Sequence, residues 1–319
     1  MRNSFADTFH ELGQRDPRLC IVVADISPAG SIQKFRDAFP ERFVNTGVAE
    51  QVMIGMTAGM AMRGLRPFAY TIATFALYRP FEMVRNDLAY QNLPVTIVGI
   101  GGGVAYSVLG GTHHAQEDVA IACGIPNLSV ISPCDPLEVE AATRHCAVQT
   151  GGPIYMRLGK AGEPVLTRDA PDPFLFGKLR FLRRVPGAET CILAHGGIMR
   201  LAQQAADALA ERGEPASLVS VHTLKPLDSA GLRAILASYR RVVVIEETSC
   251  QNGLGPMVKR IAWDMDADTR LHHFALRDEF THVHGSHADV LASHGLTLEN
   301  ILAALDQRPA AGRRGRGAP

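Results

Sequence analysis

Glu50 stands at the head of a segment, Val52–Met62, in which Thr57 is the one polar residue and Gly55, Ala58, Gly59 and Ala61 are small. A helix apolar all round is expected to be buried on every side, and an ionised group buried without a partner is costly. A carboxylate at that entrance therefore implies a partner. A second feature is the glycine-rich run GIGGGVAYSVLGGTHH (99–114), which ends in His113 and His114. It is neither GxGxxG opening a helix nor a P-loop, since no GK[ST] follows. On glycines alone it fits a cofactor loop or a tight turn equally. Two imidazoles in a loop after a strand point to bases or ligands, although either histidine alone also suits a packed or surface position. Third, Phe75, Tyr78 and Phe81 fall at i, i+3 and i+6. That spacing suits the core stripe of an amphipathic helix. Pro80, however, places the helix start near Arg79 and leaves Phe75 to Tyr78 in the preceding loop, where aromatics line pockets. The histidines at 272, 273, 282, 284, 287 and 294 match no zinc spacing, so no metal is expected on them.

Short apolar runs alternate with helical patterns, an α/β signature. Strands are predicted at 19–26, 94–100, 128–132, 153–158, 190–196, 216–221 and 241–247. Helices are predicted near 3–14, 49–63, 79–91, 116–123, 136–149, 198–212, 229–237, 254–264 and 297–305. The Pro-, Gly- and charge-rich stretch 160–174 reads as the core of a connector, and the tail QRPAAGRRGRGAP as disordered.

At 319 residues, 46% hydrophobic and 20% charged, the chain is long enough for two domains. Its 32 basic and 32 acidic residues cancel, giving no electrostatic case for nucleic acid or an anionic membrane. The N-terminus lacks the apolar core of a signal peptide, and no apolar run reaches membrane-spanning length. Six cysteines without a CxxC suggest neither zinc nor a disulfide framework. A reduced, cytoplasmic protein is expected.

In chain order, VADISPAGS, RFVNTGVAEQ, TIATF, GGTHH, VISPCDPLE, GPIYMRLG, TLKPLD, VVVIEE and GLGPMV resemble the motifs of the transketolase family. The likeness is to the C-terminal half of that family and covers nearly all of residues 1–305. It implies an α/β chain of two domains, each a mostly parallel sheet flanked by helices. These are a pyrimidine-binding domain at 1–160 and a transketolase C-terminal domain at 187–305, with a linker at 161–186 and a tail at 306–319. The cofactor implied is thiamine diphosphate. Glu50 matches the family's buried glutamate, which hydrogen-bonds the aminopyrimidine ring and promotes the imino tautomer, so a cofactor nitrogen would be its missing partner. Phe75, Tyr78 and Phe81 match the aromatic pocket around that ring, with Phe75 the candidate for direct stacking. His113 matches the histidine that faces the reacting carbonyl. Arg157 and Arg2 match arginines that hold a sugar phosphate, although Arg157 equally suits a partner carboxylate.

The family's GDG…N motif, which binds diphosphate through a divalent metal (Mg or Ca), does not occur in the sequence. The resemblance therefore implies a split enzyme. A separate N-terminal-type subunit would hold the metal and diphosphate, in an α2β2 heterotetramer if the family's two-fold arrangement is kept. Three positions depart from the sugar-using pattern. Leu109 replaces an acid that reads the donor hydroxyl, with His114 the candidate substitute; Gly101 and Ala29 replace a histidine and a serine expected on phosphate. An unphosphorylated or otherwise modified substrate is thereby implied. The leading expectation is two-carbon ketol transfer from a ketose to an aldose. Alternatives are the β chain of a 2-oxoacid dehydrogenase, an acyloin synthase of the 1-deoxyxylulose-5-phosphate synthase type, and a non-catalytic scaffold.

Overall fold

The computed structural model describes residues 1–26 and 31–307; Ala29 and the tail from 308 onward lie outside them. The strands are β1 Leu19–Val23, β2 Phe43–Asn45, β3 Arg66–Ile72, β4 Thr96–Ile100, β5 Ser129–Ile131, β6 Ile154–Leu158, β7 Arg180–Arg183, β8 Thr190–Ala194, β9 Ala216–Ser220, β10 Thr223–Lys225, β11 Arg241–Ser249 and β12 Arg270–Leu276. They form a seven-stranded sheet, β10-β5-β6-β4-β3-β1-β2, and a five-stranded sheet, β12-β11-β8-β9-β7. All pairings are parallel except β10 on β5 and β7 on β9. The chain thus has two mostly parallel sheets flanked by helices, as its alternating pattern implies.

Both faces of the first sheet are covered, which is why its strands read as unbroken apolar runs. Ile21 and Val23 pack with Phe5, Phe9, Phe35 and Val139 on one face. Val22 turns to the other and joins a cluster that includes Met53, Ile54, Val84 and Val119. The two halves are not independent. The cluster holding Val22 continues into Leu193, Val219 and Val244 of the second sheet, and β10 leaves the second half to extend the first sheet.

Several elements differ from expectation. Strands β2 and β10 have three residues each, too few for a periodicity to show. β3 opens on Arg66–Pro67, and the edge strand β12 carries His272 and His273 and is mostly half-buried. Helices at Ser31–Ala38, Ala73–Leu77 and His287–Ser293 also escape the pattern, being short. Phe75 therefore lies in a helical turn rather than a loop. Pro80, which cannot donate a backbone bond, caps the separate turn Phe81–Met83, and a wide-turned π-helical stretch follows at Val84–Tyr90.

The helix Glu50–Met62 is not buried on every side. Met53, Ile54, Thr57, Ala58 and Ala61 pack inward. Val52 and Met62 are 55% and 64% exposed, and open space surrounds Gly55 and Gly59. The first sheet covers one face of this helix and nothing within the described chain covers the other.

Candidate active site

Parallel sheets bind ligands beyond the carboxyl ends of their strands, and three of the expected residues, Glu50, Phe75 and His113, gather there. The loop after β2 delivers Glu50, the turn after β3 delivers Phe75, and the loop after β4 delivers His113. Since β4, β3, β1 and β2 are consecutive neighbours, three stretches distant in sequence open on one edge. The turn before Glu50 is built by polar side chains. Asn45 Oδ1 accepts from the Asp25 and Gly47 amides, both at 3.0 Å, and the Thr46 hydroxyl donates to the Val23 carbonyl at 3.2 Å. Glu50 then occupies the first helical position, where the helix dipole favours a carboxylate.

Glu50 is 5% exposed, and its Oε1 accepts from Arg79 Nη1 at 2.9 Å. The partner that the sequence does not reveal is therefore supplied first by the chain itself. The Arg79 guanidinium also lies over the Phe75 ring, 4.0 Å from its centroid. His113 meets Phe75 edge-on, at 5.2 Å between centroids and 68° between planes. Its Nδ1 is 2.9 Å from the Thr112 hydroxyl. Burial, then the Arg79 charge, lowers the proton affinity of His113. Glu50, Arg79, Phe75 and His113 thus form one contiguous group: a carboxylate, a flat cation, an aromatic face and an imidazole.

These residues fit the aminopyrimidine half of thiamine diphosphate. Glu50 Oε2 has no hydrogen bond among the described residues and is free to accept one, and Phe75 offers a ring face. No group of three or more His, Cys, Asp or Glu side chains among the described residues converges to hold a metal.

Arg157 is placed differently. It is 4% exposed; its Nε donates to Asp118 Oδ2 at 2.8 Å and its Nη2 to the Glu247 carbonyl at 2.8 Å. Tyr155 donates to the same Asp118 oxygen at 2.8 Å. The pairing with a carboxylate is therefore the one realised. The arginine still borders a cleft of about 330 Å³ between the halves, with Lys160, Arg200 and His287. The glycines of the 101–103 run are close-approach positions. A Cβ on Gly101, at φ +75°, would lie 2.1 Å from the Tyr106 ring; one on Gly102 would strike Arg157, and one on Gly103 would strike Glu247. The Tyr106 ring fills the space that a histidine at 101 would need.

The other expected residues disperse around this group. Tyr78 packs against the core and donates to Glu117 Oε2 at 2.9 Å, and burial pushes its phenol pKa well up. Phe81 is 40% exposed and Leu109 48%, on the outer rim. His114 is buried beside Glu247 and His294 of the second half, with burial lowering its proton affinity. It is a packed residue rather than one on the open edge. Arg2 is half-buried near the Tyr106 phenol, and its Nε has no hydrogen-bond partner among the described residues. Arg79, Asp118, Tyr106 and Glu247 carry no sequence signal of a role here. In the sequence Arg79 marks only a helix start, and nothing local signals that it reaches Glu50.

Two such sheets, with a buried carboxylate beside an aromatic face at the strand ends, place the group where parallel α/β sheets bind their ligands. The family model of the transketolase pyrimidine-binding domain matches residues 1–162, and that of the transketolase C-terminal domain matches 177–301. The chain belongs to the transketolase family. It is 32% identical over 300 residues to one subunit of the apulose-4-phosphate transketolase of Phocaeicola vulgatus, spanning 94% of each chain. It is 33% identical to the 6-deoxy-6-sulfo-D-fructose transketolase subunit of a Clostridium species, over 95% of this chain and 92% of that one. A solved structure described as a split-gene transketolase, inactive β4 tetramer, superposes with a TM-score of 0.85 at 32% identity, covering 95% and 96% of the two chains. Among the described residues, no helix is long and apolar enough to cross a membrane.

Proposed function

We propose that the chain is the C-terminal subunit of a split, thiamine-diphosphate-dependent transketolase that moves a two-carbon ketol unit from a ketose to an aldose. The observation that carries this is Glu50, buried at the head of its helix and grouped with Phe75 and His113 at one strand-end edge. Thiamine diphosphate, when bound, supplies a stabilised carbanion and an electron sink. Glu50 would share a proton with the aminopyrimidine ring nitrogen, and Phe75 would hold the ring flat. His113, held largely neutral by its surroundings, would accept and return protons at the substrate's oxygens.

The diphosphate and its divalent metal belong to a separate N-terminal-type subunit, and the uncovered face around Val52, Gly55, Met56 and Gly59 suits burial in an α2β2 assembly. The relative described as an inactive β4 tetramer is in keeping with this chain needing a partner. Relatives named for a phosphorylated and a sulfonated sugar both imply an anionic head group. With Arg157 committed to Asp118, Arg2 is the retained candidate to meet it. Pyrimidine-binding and C-terminal units are assigned to 1–160 and 187–305, and a cytoplasmic location follows from the reaction proposed.

The test is co-expression with a GDG…N-bearing subunit, then purification and assay with phosphorylated, sulfonated and unsubstituted ketoses. Turnover by the complex and none by the chain alone is expected, with Glu50→Gln lowering kcat by about 10²–10⁴-fold. Tight cofactor binding and turnover by the chain alone would sink the split assignment. Undiminished turnover in E50Q would sink the role of Glu50.

A further inference from the structure

The Glu50 carboxylate and the Phe75 ring are already engaged by one side chain, Arg79. Its Nη1 lies 2.9 Å from Glu50 Oε1 and its Cζ 4.0 Å from the centre of the Phe75 ring. A guanidinium is flat, delocalised and rimmed with in-plane N–H donors, and it stacks on aromatic faces. An aminopyrimidine is likewise flat and presents an amidine-like edge. A ring held by Glu50 and stacked on Phe75 makes the same two kinds of contact that Arg79 makes. We propose that Arg79 is a resident stand-in for the aminopyrimidine, occupying Glu50 and the face of Phe75 until cofactor binding displaces it. This rests on the assignment of Glu50 and Phe75 given above.

Three observations support exchange rather than permanent pairing. The Arg79 side chain is 47% exposed, so it can swing into solvent, whereas Glu50 at 5% cannot follow. Arg79 lies between the turns Ala73–Leu77 and Phe81–Met83, outside either run of helical bonds. No other ion pair or hydrogen bond holds its guanidinium among the described residues. The device spares the chain a buried, unpaired carboxylate when no cofactor is present. It also multiplies the apparent affinity for cofactor by the fraction of chains in which Arg79 has let go. Displacement removes a positive charge from beside His113, so cofactor occupancy and the basicity of that imidazole are linked.

The experiment is calorimetric titration of thiamine diphosphate, with saturating Mg²⁺, into the reconstituted complex carrying wild-type, R79Q, R79K or E50Q chains. R79Q is expected to bind about tenfold more tightly than wild type. R79K should fall between them, because an ammonium can pair with Glu50 but cannot lie flat on Phe75. Equal or weaker binding by R79Q, with E50Q still losing turnover, overturns the stand-in and leaves the assignment of Glu50 standing. Wild-type affinity and turnover in E50Q removes that assignment itself. A crystal structure of the cofactor-bound wild-type complex decides the matter without a variant. Arg79 off the Phe75 face is the expected result, and Arg79 still on both Glu50 and Phe75 overturns it.

Discussion

Two arginine–carboxylate pairs in the first half of the chain differ in almost every respect that governs their energetics. Asp118 and Arg157 are 0% and 4% exposed, and the carboxylate is saturated by Tyr155, Arg157 and the Val119 amide. Glu50 and Arg79 share one hydrogen bond, and the arginine is half in solvent. In the dry pair, both charges have been desolvated and depend on each other, so removing one leaves the other stranded. In the open pair, water screens the cation and can replace the carboxylate as its partner. One pair ties strand β6 to the helix Asp118–Gly124 and to the second half. The other is built to change partners. Both motifs are an arginine beside an acid, and only burial separates a brace from a site.

Substitutions at the two acids break this comparison most directly. Asp118→Asn should cost about 3–5 kcal/mol in urea unfolding, because Arg157 is left buried without its hydrogen-bonded carboxylate and with only the Glu247 charge to offset its own. Gly101→Ala comes next, at about 1–3 kcal/mol, since the added methyl meets the Tyr106 ring at a positive φ. Glu50→Gln should cost no more than about 1 kcal/mol in the same measurement, whatever it does to turnover. A loss there as large as that of D118N would show that the open pair is as structural as the closed one. The smallest effect should come from pH. The Glu247 carboxylate, 2.8 Å from His287 Nε2, raises the His287 pKa above its ordinary 6.5 against the opposing effects of burial and Lys160, and nearby Glu163 adds to the rise. Burial pushes Glu247 up, but His287 and Arg157 outweigh it, so its pKa falls below 4.5. The pair therefore stabilises most between pH 4.5 and 6.5, losing strength above as His287 deprotonates and below as Glu247 protonates. The urea midpoint of wild type should fall slightly from pH 6 to 8, and that of His287→Gln should not follow it.

Much of the fold is legible because both sheets are mostly parallel and the first is covered on both faces, so LCIVV and TIVGI announce themselves as apolar runs. The edge strand β12 and the three-residue β2 and β10 carry no such signal, because edge strands face solvent and very short ones show no period. The loop expected around Phe75 is a helical turn, because Pro80 breaks the chain into two turns rather than starting one long helix. Within the site, Glu50 stands out as a charge among apolar residues, and His113 as an imidazole in a glycine-rich loop. Arg79 carries no such mark. Its meaning lies in a contact 29 residues back along the chain, which only the side-by-side order of β2, β1 and β3 creates. Arg157 illustrates the converse. Its residue type points to an anionic partner, but which of two possible partners it takes depends on Asp118, a residue with no local signature.

Strand β10 has a consequence for biosynthesis. It lies beyond β7, β8 and β9 in the chain, yet it completes the first sheet by covering β5. As the polypeptide emerges N-terminus first, β5 stays an open edge until the residues of β10 have followed, and such an edge is a template for pairing with a neighbouring nascent chain. A chain severed in the connector between β6 and β7 would carry that bare edge permanently. The first half should then self-associate, even though its helices and remaining strands are in place.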